Sequence, residues 1–159
     1  MRTILKLHLQ LSIDLPHAPA EIGFDIRTFD PTADKSAWLE LNNRIFKGHP
    51  DQGNWVMEDL ENRIKEPWFD ADGFFLAMDN QKIIGFCWTK FHHDLVNQDP
   101  IGEIYVIGVD PAIATRGVGK ALAIRALEYI KSKGIGTAML YVDADNEPAL
   151  SLYKKLGFN

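Results

Sequence analysis

Gly102-Glu-Ile-Tyr-Val-Ile-Gly-Val-Asp-Pro111 runs directly into Ala112-Ile-Ala-Thr-Arg-Gly-Val-Gly-Lys-Ala-Leu122, and the remaining segments take their meaning from this stretch. Ile104 to Val109 is β-branched and aromatic, the composition of a buried strand. Asp110-Pro111 stops that strand, because proline has no N–H to donate to a ladder. Arg116-Gly117-Val118-Gly119-Lys120 then opens a run in which Gly119, Leu122, Ala123, Ala126 and Ile130 recur at helical spacing. Strand, short glycine loop and helix together make an anion site. Glycines let backbone N–H groups approach a phosphate, and the helix N-terminus supplies positive potential. Arg116 and Lys120 add charge.

The loop matches neither the dinucleotide pattern G-x-G-x-x-G nor the phosphate loop G-x-x-x-x-G-K-S/T. Gly117 and Gly119 instead resemble motif A of the GNAT acetyltransferases, Gln/Arg-x-x-Gly-x-Gly/Ala, whose backbone amides hold the pyrophosphate of acetyl-CoA. The first motif position, usually Gln or Arg, is Ala114 here, which removes a side chain and leaves the amides. Asn146, Ala149, Leu152, Tyr153, Gly157 and Phe158 resemble motif B of the same family, in family order and after an intervening strand. The resemblance covers residues 25–159 and implies an α/β (α+β) domain, a mixed and mostly antiparallel twisted sheet flanked by helices.

At 159 residues the chain is long enough for one domain with a substantial core. A net charge of −5 argues against a nucleic-acid surface, which needs a basic stripe. It leaves room for an anionic cofactor held by amides and two or three cations. No apolar run approaches membrane-spanning length. The first residues alternate and carry Lys6 and His8, unlike a signal peptide, and the single cysteine, Cys87, excludes an internal disulfide. These features point to the cytoplasm. His92-His93 lacks a third ligand at metal-binding spacing, so no metal is expected.

Taken in order, residues 1–24 read as an N-terminal strand, with Ile4, Leu5, Leu7, Leu9 and Leu11 alternating, followed by a proline-rich linker. Asp25–Phe29 reads as a short strand. A helix capped near Asp34 carries Trp38, Leu41, Asn42 and Ile45 on one face to Phe46, and a second runs from Val56 to Lys65. Phe74–Met78 and Ile83–Lys90 form a hairpin, and His92–Pro100 a polar loop. After the long helix, Ala138–Val142 is a buried strand, and Asn146 caps a last helix ended by Gly157.

Several segments narrow the resemblance to the C-terminal acetyltransferase domain of the mycothiol synthase family. They are Arg27-Thr-Phe29, Asn42-Asn43 with Phe46, Gly48-His-Pro-Asp-Gln-Gly53, Glu66-Pro-Trp-Phe-Asp70, Gly85-Phe-Cys-Trp-Thr-Lys90 and Leu140-Tyr-Val-Asp-Ala-Asp-Asn146. That family acetylates the cysteinyl amine of cysteinyl-glucosaminyl-inositol, a small-molecule acceptor, to give mycothiol. It carries two acetyltransferase domains in tandem, so the resemblance implies a preceding domain in the full-length protein. The family domain also continues past Gly-Phe with further strands, whereas this chain stops at Asn159, which implies a sheet whose last strands are missing.

The resemblance also assigns roles. Amides of Ile107 and Val109 would pair with the cofactor's pantetheine arm, and Arg116, Gly117, Val118, Gly119, Lys120 and Asn146 would hold the rest of acetyl-CoA. Glu103 sits six residues before Val109, where many GNAT enzymes place a general base, and Tyr153 matches the tyrosine that protonates the CoA sulfur. A carboxylate at a strand start and a core aromatic are the plain readings of these two positions. His49, Asp51 and Gln52 could bond sugar or inositol hydroxyls, and Trp88, Lys90 and Tyr141 could line the acceptor cleft. Two other functions stay open: a protein N-terminal or other amine acetyltransferase, and a non-catalytic fragment that binds CoA or a partner.

Overall fold

The computed structural model describes residues 2–12, 14–18 and 23–159, with the side chains of residues 114–116 outside the description. Among the described residues the elements are β1 (Ile4–Gln10), β2 (Asp25–Thr28), α1 (Lys35–Ile45), α2 (Met57–Ile64), β3 (Phe74–Asp79), β4 (Lys82–His92), β5 (Ile101–Val109), α3 (Val118–Ser132), β6 (Thr137–Asp143) and α4 (Glu147–Leu156). The linker expected at residues 15–20 lies partly outside the described residues.

The strands make one sheet in the order β1-β6-β5-β4-β3-β2. Every neighbouring pair is antiparallel except β5 and β6. This is the mixed, mostly antiparallel sheet expected. α3 and α4 cover one face, over Ile84, Cys87, Ile104 and Leu140, and α1 and α2 cover the other, over Phe74, Phe86, Trp88 and Val106. A strand buried on both faces reads as a continuous apolar run, which is why β4 shows little alternation. Gly102 lets β5 approach α3: a Cβ there would lie 2.4 Å from Ile130 Cγ2.

Three boundaries depart from expectation, and each bears on function. β4 extends two residues past Lys90 to His92, and β5 begins at Ile101, so part of the expected polar loop is ladder. Asp34 precedes α1 without a capping side-chain bond, because its carboxylate is held by Arg27 instead. The N-terminal strand, expected ahead of the domain, belongs to the domain's own sheet. β1 pairs with β6 along its length, from Ile4↔Asp143 to Gln10↔Thr137, and buries Leu9 and Leu11. β1 takes the edge of β6, and on β1's far side His8 exchanges both backbone hydrogen bonds with Asn159, at 2.8 and 3.0 Å.

Candidate active site

β5 and β6 pair only at Gly102↔Ala138, Glu103↔Met139 and Ile104↔Leu140, then separate, while β4 follows β5 to Val109. The Asp110 N–H donates to Ile84 O on the β4 side at 2.9 Å. Strand alternation then turns the N–H groups of Val109 and Ile107 the other way, toward the space β6 has left. Trp88 pairs with Val106 and Thr89 with Ile104, so Tyr105 is the extra residue of a β-bulge on β5. A cleft of about 350 Å³ opens between the parted strands. Glu103, Ile107, Tyr141, Asn146, Tyr153, His49, Asp51 and Gln52 all line it. Residues drawn from five separate stretches of sequence thus meet at one place.

Glu103 is only 6% exposed, and its Oε1 lies 2.7 Å from His92 Nε2. The sequence presents His92 as a metal-ligand candidate and the start of a polar loop, not as a partner of Glu103. The available signal was the strand period: Lys90 pairs with Glu103 and His92 with Ile101, so His92 is a diagonal neighbour on the same face. Tyr153 is buried at the cleft's edge, and burial, with the neighbouring Cys87, pushes its phenol above the ordinary value. It therefore holds its proton through neutral pH. Asn146 Oδ1 accepts from the Ala149 N–H at 3.3 Å, so it caps α4 while bordering the cleft.

The loop between α1 and α2 is pinned from both sides. Asn42 donates to Gln52 O and accepts from Gln52 Nε2, and Asn43 exchanges bonds with the Trp55 backbone. Arg2 donates to Asp51 at 2.8 Å and to Asp143 at 2.6 Å, and lies 3.3 Å from His49 Nε2. His49 and Asp51 thus engage Arg2 at the cleft's border, and Gln52 engages Asn42. Tyr141 is exposed, with the Lys6 ammonium 5.9 Å from its ring centre.

Two expected wall residues lie elsewhere. Trp88 is wholly buried at the centre of the aromatic core, stacked on Phe74 and edge-on to Trp38, because β4 turns it toward α1. Lys90 lines a second cavity, about 700 Å³, with Arg63, Glu66, Trp68, His92 and Tyr105. Its ammonium sits 4.7 Å from the Trp68 ring centre and 5.4 Å from that of Tyr105.

At the start of α3, Gly117 has φ +73°, a left-handed conformation that glycine adopts without strain. The Ala121 N–H makes the first bond of the helix, to Gly117 O at 3.1 Å, so the N–H groups of Val118, Gly119 and Lys120 precede the intrahelical ladder. Val118's side chain is buried against the sheet, and Lys120's is half-buried. The Arg116 side chain lies outside the described residues. These donors fit an anionic phosphate, and the outward amides of Ile107 and Val109 fit an amide-bearing chain laid along β5. Among the described residues no group of three or more His, Cys, Asp or Glu could hold a metal ion, and no helix is long and apolar enough to cross a membrane.

A model of the acetyltransferase (GNAT) family matches residues 35–158. Curated relatives named mycothiol acetyltransferase include one from Acidothermus cellulolyticus, 44% identical over 99% of this chain and 51% of its own length. Another, from Catenulispora acidiphila, is 47% identical over 91% of this chain and 47% of its own. The chain spans about half the length of the curated relatives it matches. Among solved structures, a GCN5-related N-acetyltransferase from Sphaerobacter thermophilus superposes with a TM-score of 0.81 at 24% identity, over 99% of this chain and 48% of that one. The aminoglycoside N-acetyltransferase AAC(6')-Iy in complex with CoA gives 0.68 at 27% identity, over 86% of this chain and 88% of that one.

Proposed function

The chain belongs to the acetyltransferase (GNAT) family, and on that premise we propose that it is an N-acetyltransferase that moves the acetyl group of acetyl-CoA to a small-molecule amine. One observation carries the reading: the cleft opened where β6 leaves β5 holds a buried carboxylate, Glu103, and a buried phenol, Tyr153. Acetyl-CoA supplies the acyl group as a thioester. The N–H groups of Ile107 and Val109 bind its amide-bearing arm as an added strand, and those of Val118, Gly119 and Lys120, with the charges of Lys120 and Arg116, take its phosphates. The Glu103 carboxylate accepts the proton that the acceptor amine must lose, and the Tyr153 hydroxyl gives its proton to the departing sulfur.

The acceptor we favour is the cysteinyl amine of cysteinyl-glucosaminyl-inositol, with mycothiol as product. The names of the relatives at 44% and 47% identity support it. In this reading His49, Asp51, Gln52 and Tyr141 meet the acceptor at the cleft, a preceding acetyltransferase domain belongs to the whole protein, and the reaction runs in the cytoplasm.

Calorimetric titration with acetyl-CoA tests the first half. Mass spectrometry after incubation with cysteinyl-glucosaminyl-inositol, or with a peptide bearing a free α-amine, tests the second. Saturable binding and acetylation of the pseudodisaccharide are expected. Acetylation of the peptide alone would make this a protein N-terminal acetyltransferase, and no acetyl-CoA binding would overturn the proposal.

A further inference from the structure

The two cavities share Tyr105 as a wall, and a bonded pair of side chains links them. Glu103 lines the 350 Å³ cleft, His92 lines the 700 Å³ cavity, and they bond to each other at 2.7 Å. The bond follows from the ladder. Lys90 stands directly opposite Glu103 and is the obvious partner for its charge, but its ammonium is drawn over the rings of Trp68 and Tyr105. His92, one diagonal step along β4, takes its place. The side chain of Glu103 is 8% exposed and that of His92 29%, so the imidazole shields the carboxylate from the larger cavity.

We propose that His92 is a positioning residue for acetyl transfer: its Nε2–H donates to Oε1 of Glu103, holding one carboxylate rotamer and leaving Oε2 to accept the amine proton. The inference rests on Glu103 being the base. A glutamate has three rotatable bonds and loses much of its freedom on fixing, so an unheld carboxylate spends most of its time misplaced. With Nε2 as donor, the neutral tautomer of the His92 ring keeps Nδ1 as an acceptor. No bond of His92 forms or breaks. The proton moves from the amine to Glu103 Oε2 alone.

The test uses the full chain, acetyl-CoA and cysteinyl-glucosaminyl-inositol, with His92→Ala, His92→Gln, Glu103→Gln and the double variant H92A/E103Q. H92A is expected to lower kcat on the order of 10-fold to 100-fold, the range for a lost bond to a charged group. Acetyl-CoA affinity and the unfolding midpoint should stay near wild type. H92Q, which keeps an N–H donor, should recover most of the loss. In the E103Q background H92A should cost nothing further, because there is no base left to position. An equal cost in both backgrounds, or an H92Q as slow as H92A, would overturn the proposal. E103Q turning over at the wild-type rate would remove Glu103 as base and His92's role with it. A wild-type chain that acetylates no amine would count against the proposed function instead. For that case nitrogen NMR of the His92 ring gives a readout without turnover. Shifts of an Nε2–H bonded to a carboxylate, altered in E103Q, are expected, and shifts unaffected by E103Q would sink the pairing.

Discussion

Tyr153 and Trp88 are both buried aromatics, and only the first borders the cleft. Tyr153→Phe keeps the ring and its edge-on packing with Phe158 while removing the hydroxyl. It should fold normally and lose about 10²–10⁴-fold in kcat, the usual range for a general acid. Steady-state kinetics beside a melting curve check this, and a wild-type rate would return Tyr153 to the core. Trp88→Ala should do the reverse, costing about 3–5 kcal/mol of stability, as is typical for a buried tryptophan. Urea denaturation measures it, and a loss under about 1 kcal/mol would contradict a core role. The indole Nε1 has no partner among the described residues, so packing alone holds Trp88. These two residues mark how far the sequence could be read. Tyr153 was legible because a motif of fixed spacing carried it. Trp88 was not, because a strand buried on both faces does not say which face holds which residue. His92 was not read as a partner of Glu103 because a His-His pair opening a polar stretch reads as loop, whereas β4 runs on to His92.

Asp34 joins β2 to the start of α1. Arg27 donates to both of its carboxylate oxygens, at 2.6 and 2.9 Å, and the Asp30 N–H donates at 2.8 Å. The guanidinium, against the opposing effect of burial, holds this carboxyl below the usual range. A folded-state value below the unfolded one, near pH 3.9, stabilises fully above about pH 4 and ceases to as pH falls through the folded value. Asp34→Asn should therefore cost about 1–2 kcal/mol at pH 7, the lower end for charged hydrogen bonds because Arg27 is 44% exposed and screened. The gap to wild type should narrow on acidification toward pH 3. Urea midpoints at the two pH values test the sign, and a gap that widens in acid would refute it. Helices and strands were legible here from their periods, since α3 needed only its repeating apolar face. Asp34 was not, because an acidic residue before a helix suggests a cap and nothing local reveals an arginine waiting on a neighbouring strand.

β1 ties the whole molecule together in a way no local pattern could announce. Its alternation marks a half-buried strand, but which edge it joins depends on β6, more than a hundred residues later. Once there, Leu9 pairs with Ala138 and lies against the turn after α4, where a Cβ on Gly157 would be 3.1 Å from Leu9 Cδ1. α4 carries Tyr153, so the N-terminal strand supports the helix that holds the proposed proton donor. Arg2, just before β1, reaches the loop and the end of β6 through exposed ion pairs, which contribute little to stability. The two ends of the strand should separate in experiment. Leu9→Ala should cost about 2–5 kcal/mol, the range for a buried leucine, and a domain with only about 5–15 kcal/mol in hand would feel it throughout. Arg2→Ala should change the urea midpoint by less than about 1 kcal/mol equivalent. Were residues 1–24 a segment outside the domain, both variants would be silent. A silent L9A would therefore detach β1 from the fold, whereas a cooperative loss of α4 and β1 together, seen as matching hydrogen-exchange rates in the two elements, would bind them into one unit.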